Sequence, residues 1–471
     1  MKTKWGITLV FLACAPTVNE PPPPPEDGGV FLDAGVPEED AGAPELDAGV
    51  RVIVRFEPGE ESPAGTATTP ARTVAALKQS VFTTSTAWRS RFTLGRALFE
   101  VPWEPAPGNR PERDGLGPLF HGDSCLACHT AYGRGTVEAG VNAPVPVLLR
   151  VSVDGGAAPG YGLQLQPRAI PGMTSEGTVH LSSELVELDG VELPRTVVSV
   201  TPALPADVQT SLRISPALHG LGLLEAVPDE ALAAWADEFD ADGDGISGRL
   251  AILPNGEVGR FGWKALNHAI ADQTAGALLE DMGLTSPLRP TGPCVEGQTA
   301  CLAAMNAGEP EVPQTVFDDL VFFTQLLGVP TRVDAGTPDI LEGKQAFYDA
   351  ECQRCHRPSL QTSVTAQPIE LAAQTIWPYS DLLLHDLGEA LADGRPEGGA
   401  NGNEWRTAPL WALSLSVQTV TGRAGYLHDG RARTLDEAIR WHGGEAASST
   451  RKYLALTQAE REALIRFVES L

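Results

Sequence analysis

The chain has 471 residues, 42% of them hydrophobic, and a formal net charge of -27. That is room for two or three domains with ordinary buried cores, and the acidic balance argues against nucleic acid, whose phosphates are held by clustered Lys and Arg. Neutral or cationic partners suit it better, and nothing in the composition points to a membrane-embedded or collagen-like chain.

The N-terminus, MKTKWGITLVFLACAPTVNE, sets Lys2 and Lys4 before an apolar run from Trp5 to Ala13, then Cys14 after a small residue. The run is too short to span a bilayer and reads as a secretory signal over residues 1–14. Cys14 is the expected lipidation site, which implies a periplasm or cell-envelope location and membrane contact by a lipid anchor only; the alternative is ordinary secretion with the cysteine discarded. Residues 15–72 are rich in Pro, Gly, Ala and acid, with a near-repeat starting at Asp33, Asp40 and Asp47, and residues 15–70 carry twelve acids against two arginines. Such a segment cannot bury enough apolar surface to offset its ordering entropy, so it is expected to be a disordered tether with a reach of roughly 40 Å.

From about residue 73 the pattern is globular. TLGRALF (Thr93–Phe99) and LEGKQAFY (Leu341–Tyr348) read as short helices, the second with Thr337 as N-cap and Pro338 at its first position. Between them VPVLLRVSV, LQLQ and VHLSSELVEL have strand-like content, which places a β insertion at about 144–205. Thr434 with Glu437 and Thr457 with Glu460 predict two further capped helices. The expected fold class is mainly α with one strand insert.

Each of the first two helices precedes a Cys-x-x-Cys-His: Cys125, Cys128 and His129 in SCLACHTAYGRG, then Cys352, Cys355 and His356. Two thiols three residues apart in one turn can reach the two vinyl groups of a haem, and the next imidazole can meet its iron. The rivals fare worse: structural zinc wants four clustered ligands, and a thioredoxin-like pair wants a βαβ setting. The expectation is two covalently bound haem c groups, with His129 and His356 as proximal ligands. Of the other cysteines, Cys294 and Cys301 most simply form a disulfide in an oxidising compartment, the alternative being two buried thiols. DADGDGISGR sets Asp240, Asp242 and Asp244 at alternate positions before Gly245, the first half of a calcium loop; with Ala251 where an EF-hand wants Glu, an abbreviated site is expected, completed by the carbonyl of Ile246.

SCLACHTAYGRG, GLGLLEAVPDEALAAWADEFDADGDGISGR, GRFGWKA, DMGLTSPL, PYSDLLLHDLGEALADGRPEG, EWRTAPLWAL and YLHDGRARTLDEAIRWHGGEA together resemble the bacterial di-haem oxidoreductase family, often labelled peroxidases or thiol oxidoreductases, from about residue 90 to the C-terminus. That family is more distantly similar to the di-haem cytochrome c peroxidases and the MauG-type enzymes. The resemblance implies two cytochrome c-like haem domains, 73–336 and 337–471, with the β and calcium-like segments in the first. It implies a peroxide-reacting N-terminal haem, an electron-transferring C-terminal haem and a tryptophan between them. The C-terminal iron's second ligand is expected fourteen residues beyond the HDG turn at His428, where this chain has His442; two imidazoles imply a lower potential than a His/Met pair. His385 and His428 compete for that place, though a hydrogen bond to backbone or propionate suits both. In the first domain Trp263 precedes Gln273 by ten residues and EDM follows at Glu280–Met282. The resemblance makes Trp263 the bridging indole, Gln273 a hydrogen-bond donor in the pocket and Asp281 the proton shuttle for O–O heterolysis. Met282, His121, His180, His219 and Lys264 are candidates for a further ligand, and none is singled out.

Two functions compete. One is a peroxidase-like di-haem oxidoreductase that reduces peroxide or oxidises an organic or protein substrate, fed by a small cytochrome, a cupredoxin or a small-molecule reductant. The other is a non-catalytic electron-transfer cytochrome with both haems six-coordinate.

Overall fold

A computed structural model describes residues 53–137, 145–304, 308, 310–417 and 425–471. The expected signal, Cys14 and residues 15–52 of the tether lie outside them. Residues 53–72 correct the tether's end, because they are packed: Ala64 and Ala67 are fully buried, and Glu60, also fully buried, pairs with Arg332 at 3.2 Å and Lys344 at 2.9 Å. A buried carboxylate between two buried cations explains why this acidic stretch is ordered.

In chain order, α1 (Thr86–Glu100) leads to α2, a single turn at Cys125–Cys128. Four strands follow: β1 (Val147–Ser152), β2 (Thr178–Leu188), β3 (Val191–Thr201) and β4 (Gln209–Ile214). Then come α3 (Ile270–Met282), α4 (Gln314–Gln325) and α5 (Pro338–Asp349). Short strands β5 (Leu384–Asp386) and β6 (Glu404–Arg406) precede α6 (Leu435–Arg440), α7 (Ala447–Ala455) and α8 (Gln458–Ser470).

The mainly α expectation is wrong. Helix makes up 31% and strand 18%, distributed over several two-stranded sheets, so the fold is mixed and two cytochrome-like domains do not emerge from it. The hairpin β2–β3 pairs antiparallel from Thr178↔Thr201 to Leu188↔Val191, closed by Asp189-Gly190 with φ of 51° and 76°, the left-handed pair that matches strand twist. β1 pairs with β4 from Val147↔Ile214 to Ser152↔Gln209, so the β insertion runs past residue 205. Val147, Leu149, Val151, Val179, Leu181 and Ile214 form one core with Trp263 and Trp405.

Two helix pairs frame the rest. α1 crosses α4 at Gly95, where a Cβ would lie 2.3 Å from the Asp319 carbonyl, and α5 crosses α8 at Gly343, where it would lie 2.0 Å from the Ala463 carbonyl. Only glycine permits such approach. Phe99 and Phe347, one turn on from each glycine, are buried in the two main cores. The capping at Thr457 is reciprocal with Glu460. Thr434 accepts from the Glu437 amide at 3.1 Å, but the Glu437 carboxylate bonds the Arg433 amide instead of closing the box. Thr337 makes no cap bond.

Candidate functional site

Both Cys-x-x-Cys-His motifs form one tight turn. Ser124 caps α2 by accepting from the Ala127 amide at 3.3 Å, and the His129 amide reaches the Cys125 carbonyl at 3.0 Å. In the second, Cys352–Arg354 is a 3-10 turn, and the His356 amide reaches the Cys352 carbonyl at 2.9 Å. The four thiols are free, and burial pushes Cys125 and Cys352 up to about 12 and raises Cys128 and Cys355 as well. Protonated thiols of this kind are poor redox nucleophiles.

Each turn opens on an apolar cavity. The first holds about 1620 Å³ of space free of protein atoms, counting the part open to solvent, and is lined by Cys125, Cys128 and His129. Across it stands α3, whose residues Ile270, Gln273, Thr274, Ala277, Leu278 and Asp281 line the cavity at the three-and-four spacing of one helical face. Gln273 accepts from Asn267 Nδ2 at 2.9 Å through its carbonyl oxygen, so its amide nitrogen is the end available as a donor. Asp281 accepts from Gln164 Nε2 at 2.9 Å; burial pushes its carboxyl up to about 6. Met282 and His219 also line this cavity, but His219 Nε2 is engaged by the Trp411 carbonyl at 2.9 Å. His121, His180 and Lys264 line neither cavity. Lys264 gives its ammonium to Asp393 and the carbonyls of Arg395 and Asn401, each at 2.8 Å.

The second cavity, with about 1350 Å³ of such space, is lined by Cys352, Cys355, His356 and His442. His356 Nδ1 donates to the Tyr379 carbonyl at 2.9 Å, and His442 Nδ1 to the Ala438 carbonyl at 2.7 Å. In both rings Nε2 is the nitrogen available to a ligand, the arrangement that fixes tautomer and orientation in metal-binding histidines. Burial pushes His129 and His356 down to about 4 and lowers His442, so all three are neutral near pH 7, as ligation requires.

The competing histidines, His385 and His428, also line the second cavity, and His385 Nδ1 lies 3.6 Å from Cys355 Sγ. His385, on β5, is held between Asp381 at 2.9 Å and Glu445 at 2.7 Å; burial alone would lower its pKa, but Asp381 foremost raises it well above the usual value. His428 stacks on Trp405 with centroids 3.6 Å apart, and burial keeps it neutral.

Trp263 lines both cavities. Its indole N–H donates to the Ile214 carbonyl at 2.8 Å, and the Arg134 guanidinium lies 5.3 Å from its ring. Arg134 and Arg406 also line both, and burial pulls each down to about 10. Sequence reasoning missed these two arginines, although Arg134 stands in AYGRG and Arg406 in EWRTAPL. Buried guanidiniums at such a junction suit carboxylates, which haem carries as propionates. Two cavities beside free thiols, each with a neutral imidazole, fit a pair of haems.

A family model described as "Di-haem oxidoreductase, putative peroxidase" matches residues 196–471. The chain belongs to the di-haem oxidoreductase family. The matched stretch of this di-haem oxidoreductase contains Trp263, α3, the second motif and His442; the first motif and β1 precede it. No curated protein matches. Among solved structures the chain is similar to hydrazine synthase of Kuenenia stuttgartiensis, pressurised with 20 bar xenon, at 12% identity and a TM-score of 0.31, over 91% of this chain and 100% of that one. A score so low carries no structural argument.

Two further expectations meet the structure. Cys294 and Cys301 form a disulfide with Cα atoms 5.7 Å apart. In the acidic loop Asp237, Asp240 and Asp242 bring carboxylate oxygens within 4.8 Å of one another. Asp244 turns away to pair with Arg354 and to accept from the Ile246 amide at 2.8 Å. The cation on the second motif outcompetes the loop for that carboxylate.

Proposed function

We propose that this di-haem oxidoreductase is an exported, peroxidase-like enzyme in which the first cavity is the substrate site and the second stores and passes electrons. Cys125 and Cys128 would hold one haem with His129 as ligand, and Cys352 and Cys355 the other with His356 and His442. The haems, when bound, supply redox chemistry that no side chain here can. Everything else falls to the chain.

The observation that carries this reading is Trp263, whose indole wall belongs to both cavities while Gln273 and Asp281 line the first alone. In this reading Asp281 takes a proton from the inner oxygen of a peroxide and returns it to the outer one, and the Gln273 amide stabilises the charge that separates. Arg134 and Arg406 hold carboxylates at the junction and keep Trp263 fixed. The apolar lining excludes bulk water. Export is supported by the signal-like N-terminus and the disulfide; the reductant would be a small cytochrome, a cupredoxin or a small molecule.

Protein matured in a periplasm competent for haem attachment tests this. Pyridine haemochrome analysis should find two haem c groups per chain, and the protein should consume peroxide with an added reductant. Trp263→Phe should keep both haems and lower reductant-driven peroxide turnover by at least about tenfold, equivalent to about 1.4 kcal/mol of barrier. Two low-spin haems inert to peroxide would instead mark an electron carrier.

A further inference from the structure

Asp281 is held from outside the family-matched part of the chain. Gln164 is buried, 2% exposed, and its Nε2 donates to Asp281 Oδ1 at 2.9 Å while lying 3.2 Å from the Glu280 carbonyl. Its own position is set by the sheet: the Val151 amide bonds the Leu163 carbonyl at 3.0 Å, the Leu165 amide bonds the Leu149 carbonyl at 3.0 Å, and Arg150 reaches Gln164 Oε1 at 3.5 Å. Gln166 donates to the Glu280 carbonyl at 2.7 Å, bracing the same helix end. Residues 163–166 therefore run along β1 as a rail against the last turn of α3.

The other groups around this carboxylate are already committed. Glu280 pairs with Arg150, which also bonds Glu397 at 3.0 Å. The amides of His121 and Gly122 serve the Asp281 backbone carbonyl, at 2.7 and 3.0 Å. Burial and the Glu280 carboxylate oppose a negative charge at Asp281, while the Gln164 amide and Arg150 favour it. Gln164 is thus the direct donor to the side-chain oxygen.

We propose that Gln164 is the positioning residue of the first cavity: its amide holds one oxygen of Asp281 and leaves the other oxygen to exchange a proton with the substrate. This rests on the reading of Asp281 as proton shuttle. A Gln at this place does what an Arg could not do without neutralising the base, and what a Leu could not do at all. It makes the β insertion part of the active site.

The test uses the full haem-loaded chain with Gln164→Glu, which keeps the shape, Gln164→Leu, which removes the donor, and Asp281→Asn as reference. The infrared band of the protonated carboxyl, assigned by its loss in Asp281→Asn, is titrated alongside the pH profile of peroxide consumption. Removing a hydrogen bond to the charged form should move the band's midpoint up by roughly one pH unit, and the acid limb of the rate profile should move with it. A midpoint unchanged in both Gln164 variants, with activity lowered equally at every pH, overturns the proposal, since a merely structural residue would do that. If Asp281→Asn leaves peroxide consumption intact while the Gln164 variants still shift the band, the shuttle reading falls and the positioning of the carboxylate is supported.

Discussion

Asp281 and its neighbour Glu280 stand one residue apart on α3 and meet opposite fates, because Glu280 finds a guanidinium and Asp281 only an amide. Burial raises the folded pKa of Asp281 from 3.8 to about 6. The folded state therefore binds this proton more tightly than the unfolded chain does. The stability it contributes is fully present below about pH 4 and is lost as pH rises through about 6. Asp281→Asn should accordingly gain stability relative to the parent between pH 4 and pH 8, by up to about 3 kcal/mol from a two-unit shift, measured by denaturant unfolding at both pH values. Equal differences at the two would remove the burial argument. The four motif cysteines, His129 and His356 were legible in the sequence because one turn of chain holds each set together. Trp263, Gln273 and Asp281 were legible through a resemblance and a spacing within one strand-turn-helix segment. Gln164, Arg134 and Arg406 were not, since each acts on a residue more than one hundred positions away.

The helices ahead of the two motifs share Gly-x-x-x-Phe, Gly95 with Phe99 and Gly343 with Phe347. In each, the glycine lets a second helix approach to contact and the phenylalanine fills the adjoining core. Helix propensity alone favours alanine over glycine by about 1 kcal/mol, whereas a Cβ 2.0 Å from the Ala463 carbonyl must push α8 aside. Gly343→Ala should therefore lower stability by about 1–3 kcal/mol, read as a fall in Tm, and a rise in Tm would show that the crossing has slack. Helix starts were readable from proline and capping residues. The class was not, because β1 needs β4 some sixty residues on, and pairs such as β5 with β6 are too short to carry a period.

The strap of residues 53–72 ties the start of the described chain to both α5 and the C-terminal helix. Glu60 sits between Arg332 and Lys344, and Arg332 donates in turn to Ser470 at 3.0 Å. Glu60→Gln keeps the shape and removes the charge, leaving two buried cations under-compensated, so it should cost about 3 kcal/mol; chemical denaturation near pH 7 measures it, and a neutral effect would mean that Glu57 alone suffices for Lys344. An acidic stretch that reads as tether becomes core here because its countercharges lie about 270 positions away. The sequence was sufficient for what adjacent residues carry: two Cys-x-x-Cys-His turns, a disulfide and the beginnings of helices, all of which depend on groups within a few bonds of one another. Only the tertiary structure decided that the two cavities share Trp263, that two buried arginines stand at their junction, that Asp281 leans on the β insertion and that the tether ends in a strap, because each of these is set by packing between distant segments, where spacing along the chain holds no record of distance in space.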